Sequence, residues 1–526
     1  MFHYSQIQMS GVGIHWFRKD LRLHDNRALL KSIEQCSTLI PLYILNTEFL
    51  SPSIKGVNQM SFLLDSLKSL DEELRQKGSR LYVSKGKPCD VLTSVVQDYN
   101  AQYLTFQKDT EPYNRIVDDS VLSLCKTSGV NVTGVWGHTL YDPEYLLELN
   151  DGKAPLTMTS FLSLVGRAGV PLSPVNAPDT IPPPPDTLPP PPLQCGGLGD
   201  VPVLSDLKEY GYNPEEKTTW FVSGEKEAIK KMEDFLAQKK RVAGFEKPKT
   251  NPTALEPDTT ALSPYITWGS LSVRLFYNRL MESVKGSTIT KPPVSLKGQL
   301  YWREMAYLIG YSTPNFNQMV DNPICRQIPW MTGDAAKPLL AKWEIGQTGY
   351  PAVDAAMNQL RTDGWMHHLA RHLVACFLTR GDLWVSWELG RDVFDKYLVD
   401  ADWSINNFSW HWLSCSAFFH QYFRCYGPTT FFKKTDPTGA YIRKHVPILA
   451  KYPNKYIYEP WMAPITVQET AGCIVGKDYP SRIVDHAIVS KANMGKMKKA
   501  YAEGKGATAS TPPRKKAKMD DYFKSE

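Results

Sequence analysis

No apolar run in this chain approaches the ~20 residues of a membrane-spanning helix, so no membrane segment is expected. The N-terminus has no basic start followed by a long apolar stretch, so no secretory signal is expected either. The nine cysteines are scattered and form no C-x-x-C pair. That argues against a zinc ribbon and for reduced thiols in a cytosolic or nuclear setting. A dinucleotide fingerprint is also missing. Gly11-Val12-Gly13 stands at the first apolar run, but Arg18-Lys19-Asp20, not a glycine turn, follows it. A net charge of +6 is compatible with a polyanionic partner and demonstrates none. At 526 residues the chain is too long for one compact core, so two or three domains are expected.

The sequence pattern changes twice along the chain. Short apolar runs at Val12–Phe17, Leu39–Leu45, Arg80–Val83, Tyr103–Phe106 and Val130–Val135 read as buried strands. Between them Asn26–Ile33, Met60–Lys77, Cys89–Tyr99 and Tyr113–Thr127 read as helices. This alternation predicts an α/β domain with a parallel, Rossmann-like sheet over residues 1–145. Residues 146–223 read as a connector that includes a Pro-rich linker, with the runs Pro182–Pro185 and Pro189–Pro192. Residues 224–503 turn helical. Ala228–Arg241, Ser272–Met281, Leu296–Leu308, Tyr350–Arg361, His367–Leu378 and Asp392–Leu398 carry apolar residues at helical spacing, which predicts an all-α domain. Residues 504–526 are polar and read as a disordered basic tail.

Five groups of residues can carry chemistry. Thr259-Thr260 ahead of Ser263-Pro264 is a helix-start pattern, suited either to simple capping or to a phosphate. Gln299, Trp302 and Arg303 lie on neighbouring helix faces, and an Arg clamp with a Trp plate competes with a surface Arg303–Glu304 pair. His368 and His372 sit four apart. Zinc, a core histidine pair and acid–base work all remain open there, although the Glu of H-E-x-x-H and an obvious third ligand are missing. Asp400 and Asp402 fall in an apolar region and need partners, for which Arg371 is the natural candidate. An acid, an amide and a guanidinium around a flat ring would suit a flavin edge. Fourteen tryptophans is a high count, and Trp330, Trp384, Trp387 and Trp410 serve either as packing or as an electron relay.

Taken in order, these motifs resemble the photolyase/cryptochrome family over nearly the whole chain. The opening His15-Trp16-Phe17-Arg18-Lys19-Asp20 runs on through Leu21 to Asn26, and Thr259–Ser263, Gly298–Glu304 and Trp343-Glu344 follow. Then come Gly346–Pro351, Gly364–His372, Tyr456–Trp461 and Cys473–Pro480. The branch it is most similar to is that of the animal-type (6-4) photolyases and their cryptochrome relatives. The resemblance implies that the helical domain holds FAD. It also implies an antenna chromophore, 8-hydroxydeazaflavin or methenyltetrahydrofolate, as an option for the α/β domain. Thr259, Thr260 and Ser263 would then hold phosphates, with Leu262 and Asp402 among the cofactor-binding residues. Gln299, Trp302 and Arg303 would line the cavity, Arg371 would pair with Asp400, and Asn406 would face the flavin N5. Trp410, Trp387, Trp330 and Trp384 match relay positions. His368 and His372 match the proton-transferring pair of (6-4) repair, and Lys247, Trp302, Trp412 and Tyr426 the contacts to a flipped lesion.

The chain departs from the family pattern at Met305-Ala306, at Asn407-Phe408-Ser409, at His411 (commonly methionine) and at Phe432 (usually glycine). The implied function is repair of (6-4) photoproducts in UV-damaged DNA by photoinduced electron transfer. The alternative is a blue-light photoreceptor or circadian regulator acting on clock or signalling proteins. In the tail, Arg514–Lys518 resembles a nuclear-import cluster and Met519–Phe523 a sliding-clamp-binding box without its leading Gln.

Overall fold

Five parallel strands form at the short apolar runs: β1 (Val12–Phe17), β2 (Thr38–Leu45), β3 (Tyr82–Lys85), β4 (Tyr103–Gln107) and β5 (Asn131–Val135). They belong to a computed structural model that describes residues 11–185 and 197–503. Strand order is β3-β2-β1-β4-β5, with Val12 opposite Thr38 and Gly13 opposite Tyr103 across the two pairings of β1. Between the strands lie α1 (Arg27–Gln35), α2 (Val57–Gln76), α3 (Pro88–Asp98) and α4 (Pro112–Ser128). Ile14, Ile40, Leu104 and Val121 are fully buried, as sheet faces covered by helices require. The order reverses at β1, and beyond its end Arg18 pairs with Asp118 (2.6 Å) while its N–H donates to Asp20 (2.7 Å). A charged network therefore stands where a glycine turn would cradle a pyrophosphate.

The first half of the Pro-rich connector is docked, not loose. Ile181 is buried, its N–H donates to Lys77 O (2.9 Å), and Leu39 N–H donates to Pro183 O (3.0 Å). Prolines lack N–H donors but keep carbonyls, so such a run can still accept bonds from its neighbours. The run Pro189–Pro192 lies outside the described residues.

The chain divides into two compact units that do not follow chain order. One contains the sheet and runs to Gly244, with Leu262–Ile289 and Leu300–Tyr311 added; the other holds Phe245–Ala261, Thr290–Gln299 and the chain from Ser312 onward. The second unit is helical. Its helices include Gly333–Glu344, Pro351–Asp363, His368–Cys376, Trp387–Tyr397 and Trp403–Leu413, and its core includes the fully buried Trp343, Trp387 and Trp410. Among the described residues no helix is long and apolar enough to cross a membrane.

Candidate functional site

The Pro351–Asp363 helix stops at Gly364, whose φ of +69° is a left-handed conformation that glycine adopts without cost. Its carbonyl then accepts from Val399 N–H (2.8 Å), which pins the Val399–Asp402 loop to the start of the histidine motif. His367 caps the next helix, with Nδ1 accepting from Leu369 N–H (3.1 Å). That fixes the proton on Nε2, which donates to Thr250 Oγ1 (2.9 Å), and the Thr250 hydroxyl in turn donates to Lys247 O (2.7 Å). One side-chain relay thus fixes the Lys247 turn to the histidine helix. Cap rules favour Ser, Thr, Asp and Asn, so sequence reasoning gave His367 no role.

His367 and His368 lie 4.3 Å apart by ring centroid, and His368 meets His372 edge-on at 5.8 Å. His372 Nδ1 lies 3.0 Å from the Tyr426 hydroxyl. Burial, then the Lys247 charge, push His372 down to about 3 and His368 well below the usual histidine range. Lys247 is itself pushed down to about 8 by burial and by Arg371. The pair is therefore neutral at pH 7 and gathered beside a cation. Among the described residues, no group of three or more His, Cys, Asp or Glu could hold a metal ion.

Arg371 forks onto Asp400 through Nη2 (2.8 and 3.1 Å) and donates from Nε to Met366 O (3.0 Å). Asp402 caps the Trp403–Leu413 helix by accepting from Ile405 N–H (2.9 Å). Asn406 lies one turn on, and its Nδ2 donates to Asp395 (2.6 Å) and to Arg391 O (3.2 Å), which leaves Oδ1 as the acceptor it can offer a ligand. Gln299 Nε2 donates to Pro293 O (3.1 Å), while its Oε1 is buried with no partner among the described residues; the Ser404 hydroxyl is likewise buried and unpartnered. An unmet buried polar atom costs about 1–3 kcal/mol. Two such atoms, an anion–guanidinium pair and a free amide oxygen suit a cofactor rich in N–H and O–H groups, as FAD is.

Thr259 and Thr260 are half-buried in an irregular stretch that includes Ala261, φ +49°. Leu262, Ser263, Trp302 and Arg303 fall in the sheet-containing unit. Ser263 opens a five-residue helix, Ser263–Thr267. Arg303 pairs with Glu304 (3.1 Å) and lies 4.3 Å over the Tyr307 ring, and both members of the ion pair are buried. Trp302 is half-buried on the Leu296–Ser312 helix.

Of the four candidate relay tryptophans, Trp330 and Trp384 are neighbours at 4.6 Å. They are held by Met331 N–H to Trp384 O (2.9 Å) and by Trp384 Nε1 to Pro329 O (2.8 Å). Trp387 opens one helix and Trp410 sits on the next, its ring lodged where a side chain at Gly390 would be. Trp412 stacks on Phe419 at 5.3 Å, and Phe408 stacks on Phe418 at 4.4 Å. Phe432 is fully buried against Tyr441.

Two family models match this chain: DNA photolyase over residues 13–179 and the FAD binding domain of DNA photolyase over residues 295–499. A (6-4)DNA photolyase of Arabidopsis thaliana is 46% identical over 503 residues, covering 93% of this chain and 88% of that protein. Cryptochrome-2 of Gallus gallus is 44% identical, covering 93% and 83%. Among solved structures, a class III photolyase from Agrobacterium tumefaciens superposes with a TM-score of 0.79 at 28% identity, covering 95% of this chain and all of that one.

Proposed function

Because the chain belongs to the photolyase/cryptochrome family, we propose that it is a blue-light-driven FAD protein that repairs (6-4) photoproducts in UV-damaged DNA. The observation that carries this reading is the neutral His368–His372 pair with Tyr426 on one side and the Lys247 cation as its electrostatic neighbour. FAD, when bound, supplies one electron to the lesion on absorbing blue light. Gln299 Oε1, the Arg371–Asp400 pair and Asn406 Oδ1 would hold it, with Thr259 and Thr260 at its phosphates.

The protein's own part is binding and proton handling. Lys247 and Trp412 receive the flipped nucleotide, since a base inside the stack cannot reach a buried cofactor. Burial leads in holding the histidines neutral and the Lys247 charge adds to it; a phosphate brought to Lys247 offsets that second cause, so substrate entry moves His368 toward its protonated form. His368 then passes a proton to the lesion, helped by the neighbouring His372, which Tyr426 orients. Trp410, Trp387, Trp330 and Trp384 serve to return the cofactor to its reduced form. An antenna chromophore in the α/β domain, nuclear import through Arg514–Lys518 and a clamp contact through Met519–Phe523 complete the proposal; both tail motifs lie outside the described residues.

The test is illumination of the photoreduced protein with matched oligonucleotides, one carrying a (6-4) product and one a cyclobutane dimer. Repair of the first alone is expected. A protein that retains FAD and photoreduces but repairs neither supports the second reading, a cryptochrome-type photoreceptor. The departures Phe408 and His411 on the Trp410 helix, with His411 packed on Trp387 at 4.5 Å, favour that reading.

A further inference from the structure

His411 follows Trp410 on the Trp403–Leu413 helix, where the family commonly has methionine. It is fully buried, and its ring centroid lies 4.5 Å from that of Trp387, with the planes 50° apart. Phe316 (5.1 Å) and Phe418 (6.2 Å) pack on the same imidazole. His411 Nε2 lies 2.8 Å from Phe316 O. A carbonyl only accepts, so Nε2 carries the proton and Nδ1 is left as a bare lone pair. Asn322 Nδ2 is 3.4 Å from Nε2 but gives its hydrogens to Gln318 O (2.9 Å) and Phe316 O (3.5 Å). His411 Nδ1 is buried and has no partner among the described residues, and the same is true of the Trp387 Nε1–H donor. Two rings in contact therefore carry one unmet acceptor and one unmet donor, an arrangement that costs stability and calls for a use.

We propose that His411 is the base that takes the indole proton of Trp387 when that tryptophan is oxidised. The inference rests on the relay part of the function proposed above. The photoexcited oxidised flavin is the terminal oxidant and takes one electron from Trp410, and Trp410 takes one from Trp387. The two atoms are not hydrogen-bonded to each other at rest, so the contacting rings must first bring them together; the Trp387 Nε1–H bond then breaks, its electron pair stays on the indole, and the proton forms a new bond at His411 Nδ1. The products are a neutral indolyl radical and an imidazolium that still donates from Nε2 to Phe316 O. Re-reduction of Trp387 returns the proton. Arg391 adds a push. Its guanidinium lies 5.7 Å from the Trp387 ring, a favourable neighbour for a neutral indole and a repulsive one for a cation. Asp392, paired with Arg391 at 2.6 Å, tempers that repulsion. A radical that has lost its proton cannot be refilled by electron transfer alone, so this step lengthens the charge separation.

Two measurements test it. In flavin-free protein, the ¹⁵N shifts of His411 should report the Nε2–H tautomer; an Nδ1–H tautomer overturns the proposal by itself. In flavin-loaded protein, flash transient absorption should show a tryptophan radical cation converting to the neutral radical, more slowly in D₂O. His411→Met and His411→Phe, used as a pair and checked for flavin content and circular dichroism, should form the cation and lose that conversion. Conversion at the wild-type rate in either variant removes His411 from the role and leaves the relay standing. No tryptophan radical in any of the proteins removes both.

Discussion

Gly390→Ala tests whether the fold holds Trp410 in one place. Gly390 lies in the Trp387–Tyr397 helix, and a methyl there would overlap the Trp410 ring and come within 2.5 Å of Leu378 Cδ2. Trp410 has little room to retreat, because it is 1% exposed and packs on Phe394 at 5.0 Å and on Trp343 at 6.4 Å. Alanine in place of glycine favours a helix by about 1 kcal/mol. Overpacking a filled core costs about 1–3 kcal/mol, and two overlaps at once put this site at the upper end. The net expectation is a loss of about 2 kcal/mol, measured by urea unfolding at matched flavin content. The displaced ring should also slow flavin photoreduction, with no change in the cofactor's ground-state spectrum. A variant as stable as the parent, or more so, would refute the packing argument, because the helix-propensity gain would then stand unopposed.

Three further outcomes are expected. His411 is pushed down to about 4 by burial, against ~6.5 in an unfolded chain. The folded state thus binds fewer protons between these values, and His411's contribution, about 3 kcal/mol, is complete above pH 6.5 and is lost as the pH falls toward 4. His411→Met should flatten the acid limb of a stability–pH curve, and an unchanged limb would contradict the assignment. Lys247 titrates near 8, so affinity for damaged duplex should fall as the pH rises through 8, and Lys247→Arg should hold it. Lys247→Met should reduce the salt slope of binding by about one, read by fluorescence anisotropy. Asp400, its side chain only 3% exposed, is the anion of Arg371, so Asp400→Asn should cost about 3 kcal/mol and weaken FAD retention; full retention in dialysed protein would count against the cofactor assignment.

The sheet was legible because its strands are buried on both faces and read as plain apolar runs: β1 occupies Val12–Phe17, as the sequence pattern predicts. The first halves of long helices were legible too, and their ends were not. Leu296–Leu308 extends to Ser312, and the predicted His367–Leu378 helix ends at Cys376, giving way to a π turn at Phe377–Gly381 that contains the non-helical Thr379. Hydrophobic spacing cannot report a backbone hydrogen-bond shift of one residue. In the site, Arg371 and Asp400 are 29 positions apart, yet two acids in an apolar stretch signalled the need for a cation. Nothing comparable announced His367. A histidine cap bonded to Thr250, 117 positions away, leaves no local pattern.

The two histidine environments explain each other. At His368 and His372 the neutral form is held by burial and by a nearby cation, Lys247, to which the proposed function brings a DNA phosphate. At His411 burial leads and Arg391 is the nearby cation, but Arg391 is already paired with Asp392 of its own helix. On the proposed function the first arrangement is expected to respond to an arriving phosphate and the second is not. Proton transfer at His368 is therefore expected to depend on bound DNA, whereas proton transfer at His411 is expected to depend only on oxidation of Trp387. Flash measurements with and without undamaged duplex separate these cases: the His411 step should keep its rate when DNA is added. A rate that followed DNA occupancy would mean that the two histidine sites share one electrostatic control, contrary to the separate ion pairing of Arg391.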